Sequence, residues 1–220
     1  MADDRIHIYC MPGMGANSLI FEGLHLPHEQ FELHLLDWFK PDSKMSLQGY
    51  AKKMCKHIKH PNAVLLGVSF GAMLVQEMAK IISVRKVIVV SSVKSSKELP
   101  FKMKFARNTG AHKLLPMGLV NNVELLAKYA FGENLKKRID LYQRYLSVKD
   151  KDYMNWSIHH MVNWSQDEPL PDVVHIHGDK DSVFPIKKIK DCTVVPNGHH
   201  AMIVHRAKWF NEHLPAIILS

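Results

Sequence analysis

Several features are scarce in this sequence, and each scarcity argues against a class of protein. No run of about 18 uncharged apolar residues occurs, so no membrane-spanning helix is predicted. The first residues lack a basic segment followed by a cleavage site, so no export signal is evident. Cysteine is limited to Cys10, Cys55 and Cys192, without metal-ligand spacing. We therefore expect reduced thiols in a cytoplasmic protein.

Motifs for metals and nucleic acids are also missing. The sequence has 15 histidines, but none forms an H-E-x-x-H pattern or has a cysteine partner, so neither a metal nor another cofactor is predicted. The 29 Lys and Arg against 21 Asp and Glu give a net charge of +8. Because these basic residues are spread over several stretches, they are typical of solvated helix faces. We expect no nucleic-acid partner, while a mild preference for anionic substrates stays open.

The stretch around Ser69 carries the strongest functional signal. An apolar run at 63–66 leads into Gly67-Val68-Ser69-Phe70-Gly71, after which apolar residues recur at helical spacing. This order predicts a strand, a sharp turn and a helix. A serine on such a turn projects its hydroxyl above the sheet edge, and a Cβ at either glycine would collide with a neighbouring element. The alternative, that Ser69 merely ends a buried strand, is weakened by the helix that follows.

Two later loops carry the groups that activate a serine nucleophile. Gly178-Asp179-Lys180-Asp181 follows a predicted strand at 173–177, and Gly198-His199-His200 follows one at 193–196. The carboxyl ends of parallel strands lie at one edge of a sheet, where ligands bind. The chain order of serine, acid and histidine is that of one known triad arrangement.

A glycine-containing loop, Pro12 to Gly15, follows the first predicted strand. It lacks the G-x-G-x-x-G and G-K-[ST] patterns of phosphate-binding loops. The alternative is a loop that donates a backbone N–H to an oxyanion, with Gly13 allowing close approach and Met14 supplying the donor.

The rest of the sequence predicts a single domain over residues 1–220, with 46% hydrophobic side chains to form its core. A β-branched run at 86–93 is typical of a parallel strand buried on both faces. Residues 95–171 contain no convincing strand, which indicates a helical lid inserted between two strands. Its helices are predicted near residues 100–108, 119–131, 133–148 and 152–165.

Aromatic residues recur at helical spacing in the last helix of this insertion, at Trp156, His160 and Trp164. They form either a wall that contacts substrate or a surface that packs the lid against the sheet. Packing is the favoured interpretation, because aromatic stripes at this spacing usually belong to a core.

Together these motifs resemble those of the α/β-hydrolase superfamily. The motif at 67–71 resembles its nucleophile elbow, the loop at 178–181 with Pro185 its acid loop, and Gly198-His199 its histidine loop. Pro12 to Gly15 resembles its oxyanion loop, although the family often has histidine where this chain has Pro12. The resemblance implies an α/β-hydrolase fold with a mostly parallel sheet of about six strands, because the two strands with which the family usually opens have no room here. It also implies helices on both faces of the sheet and the helical lid.

The resemblance assigns roles to the loop residues. Ser69 is the expected nucleophile. Asp181 is the expected acid rather than Asp179, because the family places the acid three residues after the loop glycine. His199 is the expected base rather than His200, because it directly follows the glycine of its loop. The backbone N–H groups of Met14 and Phe70 are the expected oxyanion hole.

The activity implied is that of a serine hydrolase that acts on an ester or thioester of a small molecule through an acyl-enzyme. The same fold also supports other chemistry with these groups, such as that of a lyase or a cofactor-free peroxidase, or a non-catalytic ligand receptor. The expected partner is a small acyl substrate. The sequence predicts neither its identity nor the oligomeric state.

Overall fold

The computed structural model describes residues 4–42, 44–110 and 144–220. Its framework is a sheet with strands β1 Ile6–Met11, β2 Phe31–Leu35, β3 Val64–Val68, β4 Lys86–Val90, β5 Val174–Gly178 and β6 Thr193–Val195. Their order is β2-β1-β3-β4-β5-β6, and every neighbouring pair is parallel. The predicted six-stranded parallel sheet is confirmed.

The described α-helices are α1 Leu47–Met54, α2 Phe70–Ala79, α3 Phe101–Thr109, α4 Lys151–Asn163, α5 Met202–His205 and α6 Ala207–Leu219. Two of the helices predicted for the insertion correspond to α3 and α4. The helix predicted at 119–131, and residues 133–143 of the next one, lie outside the described residues. The C-terminal segment forms two helices, α5 and α6, which meet at Arg206.

The sheet is covered on both faces, which explains why its central strands read as continuous apolar runs. Successive side chains of β1 point to opposite faces. Tyr9 and Met11 pack with residues of α1 and α2, whereas Ile8 and Cys10 pack with residues of α5 and α6. No helix among the described residues combines the length and the apolar character needed to cross a bilayer.

The register of the sheet places the three predicted site loops at one edge. Val68, the last residue of β3, pairs with Val90 at the end of β4. Gly178, the last residue of β5, pairs with Val195 at the end of β6. The segments that follow β3, β5 and β6 therefore emerge together at the carboxyl edge, which is where this class of sheet binds ligands.

Candidate active site

Ser69 occupies a strained turn between β3 and α2. Its φ of 54° and ψ of −120° lie in a region that non-glycine residues rarely adopt. A Cβ on Gly67 would lie 2.5 Å from Cα of Ala72, and one on Gly71 would lie 2.3 Å from the carbonyl oxygen of Pro12. Both contacts are with backbone, which cannot move aside. The two glycines are therefore required for the close approach of the helix and the first loop, as predicted.

The end of β4 holds this strained residue in place. The backbone N–H of Ser69 donates to the carbonyl of Val90 at 2.9 Å. The hydroxyl of Ser92 donates to the carbonyl of Ser69 at 2.7 Å. Because both backbone groups of Ser69 are engaged, the neighbouring strand fixes its orientation and leaves only the side chain to react.

The side chains of Ser69, His200 and Asp181 form a continuous hydrogen-bonded relay. Nε2 of His200 lies 2.9 Å from Oγ of Ser69, and Nδ1 of His200 lies 2.9 Å from Oδ2 of Asp181. Ser69 and His200 are each 9% exposed and Asp181 is 5% exposed. This burial strengthens the polar contacts within the relay and leaves a narrow opening to solvent.

The prediction of His199 as the histidine of this relay is corrected by the structure. The ring of His200 lies between the serine and the acid, while the side chain of His199 is exposed. The carbonyl of His199 accepts from the N–H of Met202 at 3.0 Å, which closes the turn into α5. This turn sends the adjacent histidine side chains in different directions, so only one of them reaches Ser69.

Asp181 is held as an ionised acceptor by its own loop. Oδ1 accepts from the N–H of Val183 at 2.8 Å and from the N–H of Phe184 at 2.9 Å, which leaves Oδ2 for His200. Burial alone would raise the pKa of this carboxyl. Attraction to the imidazolium form of His200, with the hydrogen bonds from that ring and from the Phe184 N–H, outweighs burial and holds the pKa below its ordinary value. The competing acid, Asp179, is exposed.

Two buried histidines of β5 support the acid loop. Nε2 of His177 donates to the carbonyl of Phe184 at 2.8 Å, and the ring nitrogens of His175 and His177 meet at 3.2 Å. Burial, with the neighbouring His177, lowers the pKa of His175 to about 3, and burial also lowers the pKa of His177. Both rings are therefore neutral near pH 7 and act as positioning groups beneath Asp181.

The two predicted oxyanion donors belong to the two segments that adjoin Ser69, the start of α2 and the loop at 12–15. Phe70 is the first residue of α2, so no carbonyl of that helix can accept its N–H. A Cβ on Gly13 would lie 3.3 Å from Cβ of Ser69, and Met14 lines the same cavity as Ser69. The loop at 12–15 therefore approaches the nucleophile closely, and the positive end of α2 faces the same point.

A small cavity of about 70 Å³ opens at Ser69 and His200. The rest of its lining is largely apolar and comes from the first loop, the segment before α4 and the region around α5: Met14, Ala16, Ile20, Leu146, Ala201, Ile203 and Val204. A larger hollow of about 940 Å³ lies elsewhere, and none of the three relay residues lines it. Volume alone therefore does not locate the reactive group in this molecule.

The aromatic residues of α4 lie apart from this cavity. Nε1 of Trp156 donates to the carbonyl of Met45 at 2.6 Å, and Nε2 of His160 lies 3.1 Å from the same oxygen. Nε1 of Trp164 donates to Glu77 on α2 at 2.9 Å. Both indole N–H groups are thus engaged by the protein itself. The structure does not bring these residues to Ser69: Trp156 and His160 line the larger hollow, and Trp164 packs against α2.

One set of potential metal ligands is not predicted by any sequence motif. His7, His34 and His60 come together at the β1–β2 side of the sheet, although no local motif joins them. The patterns used to assess metals require ligands on one helix or paired cysteines, so they miss ligands from separate strands. The strand register was the signal that could have revealed the cluster.

Comparison with known sequences gives one match to a family. The model of a family described as the Alpha/beta hydrolase family matches residues 1–213. A search of curated proteins finds no match.

Solved structures show the same architecture at low sequence identity. A bromoperoxidase from Bacillus anthracis is 14% identical, with a TM-score of 0.70 over 98% of this chain and 92% of that one. An esterase from Exiguobacterium antarcticum is 17% identical, with a TM-score of 0.68 over 98% and 92%. A 2-hydroxy-6-oxo-6-phenylhexa-2,4-dienoate hydrolase from Rhodococcus sp. strain RHA1 is 14% identical, with a TM-score of 0.69 over 100% and 92%. These likenesses establish the fold.

Proposed function

Because this chain belongs to the alpha/beta hydrolase family, we propose that it is a serine hydrolase that cleaves an ester or thioester of a small molecule. The observation that carries this proposal is the relay from Asp181 through His200 to Ser69, with 2.9 Å at each step. A serine hydroxyl reacts only when a base removes its proton, and a carboxylate fixes the tautomer of that base.

The geometry supports a defined sequence of proton transfers. The carboxylate of Asp181 accepts from Nδ1–H of His200, so Nε2 carries the lone pair that faces Ser69. As Oγ attacks the substrate carbonyl, Nε2 takes its proton, and the carbonyl oxygen becomes an oxyanion. When the tetrahedral intermediate collapses, His200 returns that proton to the departing alcohol or thiol. Water then attacks the acyl-enzyme by the same route, which releases the acid and regenerates Ser69.

The oxyanion is assigned to the backbone N–H groups of Met14 and Phe70. Such donors contribute most when they are already oriented before charge develops. The turn at Ser69 and the start of α2 are rigidly built, so the Phe70 donor needs no rearrangement. The loop at 12–15 supplies the second donor in this proposal.

The cavity beside Ser69 favours an uncharged acyl group. Its volume is small, and its lining, as far as residues 4–42, 44–110 and 144–220 form it, offers no partner to a carboxylate or phosphate on the acyl side. We also propose that the described parts of the stretch 95–171, which include Leu146 in the lining of the cavity, belong to a lid over this edge. The free thiols of Cys10, Cys55 and Cys192 support the expected cytoplasmic setting.

The direct test is hydrolysis of p-nitrophenyl acetate and butyrate, and of a short acyl thioester, by the wild-type chain and Ser69→Ala. We expect the variant to lose at least about 10³-fold in kcat/KM because the nucleophile is absent. Circular dichroism and thermal melting of the variant should match those of the wild type. Full activity of the folded variant would refute the assignment.

A fluorophosphonate probe separates the remaining candidates. An activated serine reacts with the probe, so labelling of the wild type with no cleavage across the ester and thioester panel would point to lyase or peroxidase chemistry by the same groups. A wild-type chain that neither labels nor hydrolyses would instead be a ligand receptor. Either outcome would overturn the hydrolase proposal.

A further inference from the structure

Three histidines from separate parts of the chain meet at the first two strands. His7 lies on β1, His34 lies on β2, and His60 lies in the segment before β3. In the parallel register, His7 pairs with Glu32, and Tyr9 pairs with His34. Because side chains alternate between faces, these four residues share one face of the sheet.

The ring nitrogens converge closely enough for one ion. One ligand nitrogen from each histidine lies within 4.8 Å of the others. Nδ1 of His7 and Nε2 of His34 are 3.0 Å apart, and the rings of His7 and His60 stack at 3.5 Å. A tetrahedral zinc with bonds of about 2.0–2.1 Å separates its ligand nitrogens by roughly 3.3–3.4 Å. Because the ring planes of His7 and His60 are parallel, their lone pairs converge on one ion only after these two rings rotate out of the stack.

We propose that His7, His34 and His60 form a zinc-binding site. Neutral imidazole is a preferred zinc ligand, and three histidines with a fourth oxygen ligand complete a tetrahedral set. The carboxylate of Glu32 is the nearby oxygen donor: its oxygens lie 3.4 Å from Nδ1 of His7 and 3.9 Å from Nε2 of His34. Arg5 also pairs with this carboxylate, at 2.6 Å, so water competes with Glu32 for the fourth position.

Tyr9 orients one of these ligands. Its hydroxyl oxygen lies 2.8 Å from Nδ1 of His60 and accepts from the backbone N–H of Lys59 at 2.9 Å. In the zinc-bound form, Nδ1–H of His60 donates to this oxygen and Nε2 faces the metal. Such partners of the distal nitrogen fix the tautomer of ligating histidines in metal proteins. The buried tyrosine thus presents His60 in the form that zinc requires.

The zinc site is distinct from the Ser69 edge. Tyr9 pairs with Leu65 of β3, and Ser69 comes four residues after Leu65 (69 − 65), which is roughly 13 Å along a strand. None of the relay residues belongs to the cluster. The ion therefore has a structural role, in which it ties β1, β2 and the segment before β3 together.

The test is a calorimetric titration of the chelator-treated full chain with Zn²⁺. The wild type should bind one equivalent tightly and melt at a higher temperature with zinc. His34→Gln should weaken this site by at least about 100-fold, because one of three ligands is lost. His28→Gln is the matched control, since the side chain of His28 is 88% exposed and outside the cluster. It should bind like the wild type.

Two further variants keep the result unambiguous. Tyr9→Phe should weaken binding by about 10-fold while leaving the stoichiometry at one, because only the orienting partner is removed. His200→Gln should retain the tight site. If His34→Gln does not fold, His60→Gln takes its place. Absence of a tight site in the wild type, unchanged affinity in the ligand variant, or loss of the site in His200→Gln would overturn the proposal.

Discussion

Two regions rich in polar and aromatic side chains differ in where their hydrogen-bonding groups point. At the carboxyl edge of the sheet, the backbone N–H and carbonyl of Ser69 are hydrogen-bonded to the protein. Its hydroxyl contacts His200 beside a cavity. On α4 and at the residue directly after it, the indole N–H groups of Trp156 and Trp164 both donate to protein acceptors. The first arrangement leaves a reactive group at an opening, and the second completes a packed layer.

A catalytic site and a packed core can be told apart in this fold, although both are buried. Trp164 is 3% exposed and Ser69 is 9% exposed, so burial alone does not distinguish them. The two residues differ in backbone strain and in the hydrogen-bond partners of their side chains. Ser69 adopts a backbone conformation that costs about 1–3 kcal/mol and is retained only because surrounding contacts enforce it. Trp164 makes an ordinary hydrogen bond between two helices.

Removing the acid should have the largest effect of the variants that test this comparison. Asp181→Asn keeps an oxygen for the N–H groups of Val183 and Phe184, but its amide no longer holds His200 in the required tautomer. We expect kcat to fall by about 10⁴-fold with little change in melting temperature. Ester hydrolysis under saturating substrate measures it.

Asp179→Asn is the matched control for this change. It carries the same substitution in the same loop, but Asp179 is exposed. We expect its kcat to remain within about twofold of the wild type. A large loss in Asp179→Asn with a small one in Asp181→Asn would reverse the assignment of the acid.

A smaller effect, on stability and not on activity, is expected for the tryptophan that follows α4. Trp164→Phe removes the hydrogen bond to Glu77, whose carboxylate keeps its contact with Lys80 at 2.7 Å. We expect a loss of about 2 kcal/mol in the free energy of unfolding, since the acceptor is charged and buried, with kcat/KM within about threefold of the wild type. Urea unfolding and ester hydrolysis measure the two quantities.

Trp209→Phe on α6 provides the reference for a tryptophan-to-phenylalanine change at a half-buried position. It should cost less stability than Trp164→Phe. A 100-fold loss of activity in Trp164→Phe without loss of stability would mean that Trp164 contacts substrate. The two regions would then not differ as described.

The sequence was most informative where structure is local. The turn around Ser69 is encoded by its own glycines and by the helix that follows, so its geometry could be read from a short stretch. The parallel sheet was likewise predictable from the apolar runs of its strands, as in β4. Asp181 is the carboxylate that contacts His200, as the resemblance implied.

The histidine of the relay could not be chosen from the sequence. His199 and His200 follow the same glycine, and the spacing of family motifs favoured the first. The choice depends on how the chain turns into α5, where the carbonyl of His199 accepts from Met202. That contact sets which ring faces Ser69, and no local pattern encodes it.

The cluster of His7, His34 and His60 was missed for a related reason. Its members are separated by more than 25 residues each, and only the pairing of β1 with β2 brings the first two together. A search for ligands along one element cannot find such a set. The parallel register of β1 and β2 puts His7 and His34 on one face of the sheet, diagonal to each other.

The role of His200 as the base for Ser69 is best tested by the rate of fluorophosphonate labelling of Ser69 in His200→Ala and His199→Ala. We expect labelling to slow by at least about 10³-fold in His200→Ala, because the base is removed, and to stay within about twofold of the wild type in His199→Ala. Both variants should retain the wild-type circular dichroism spectrum. Normal labelling in His200→Ala, or its loss in His199→Ala, would contradict the account.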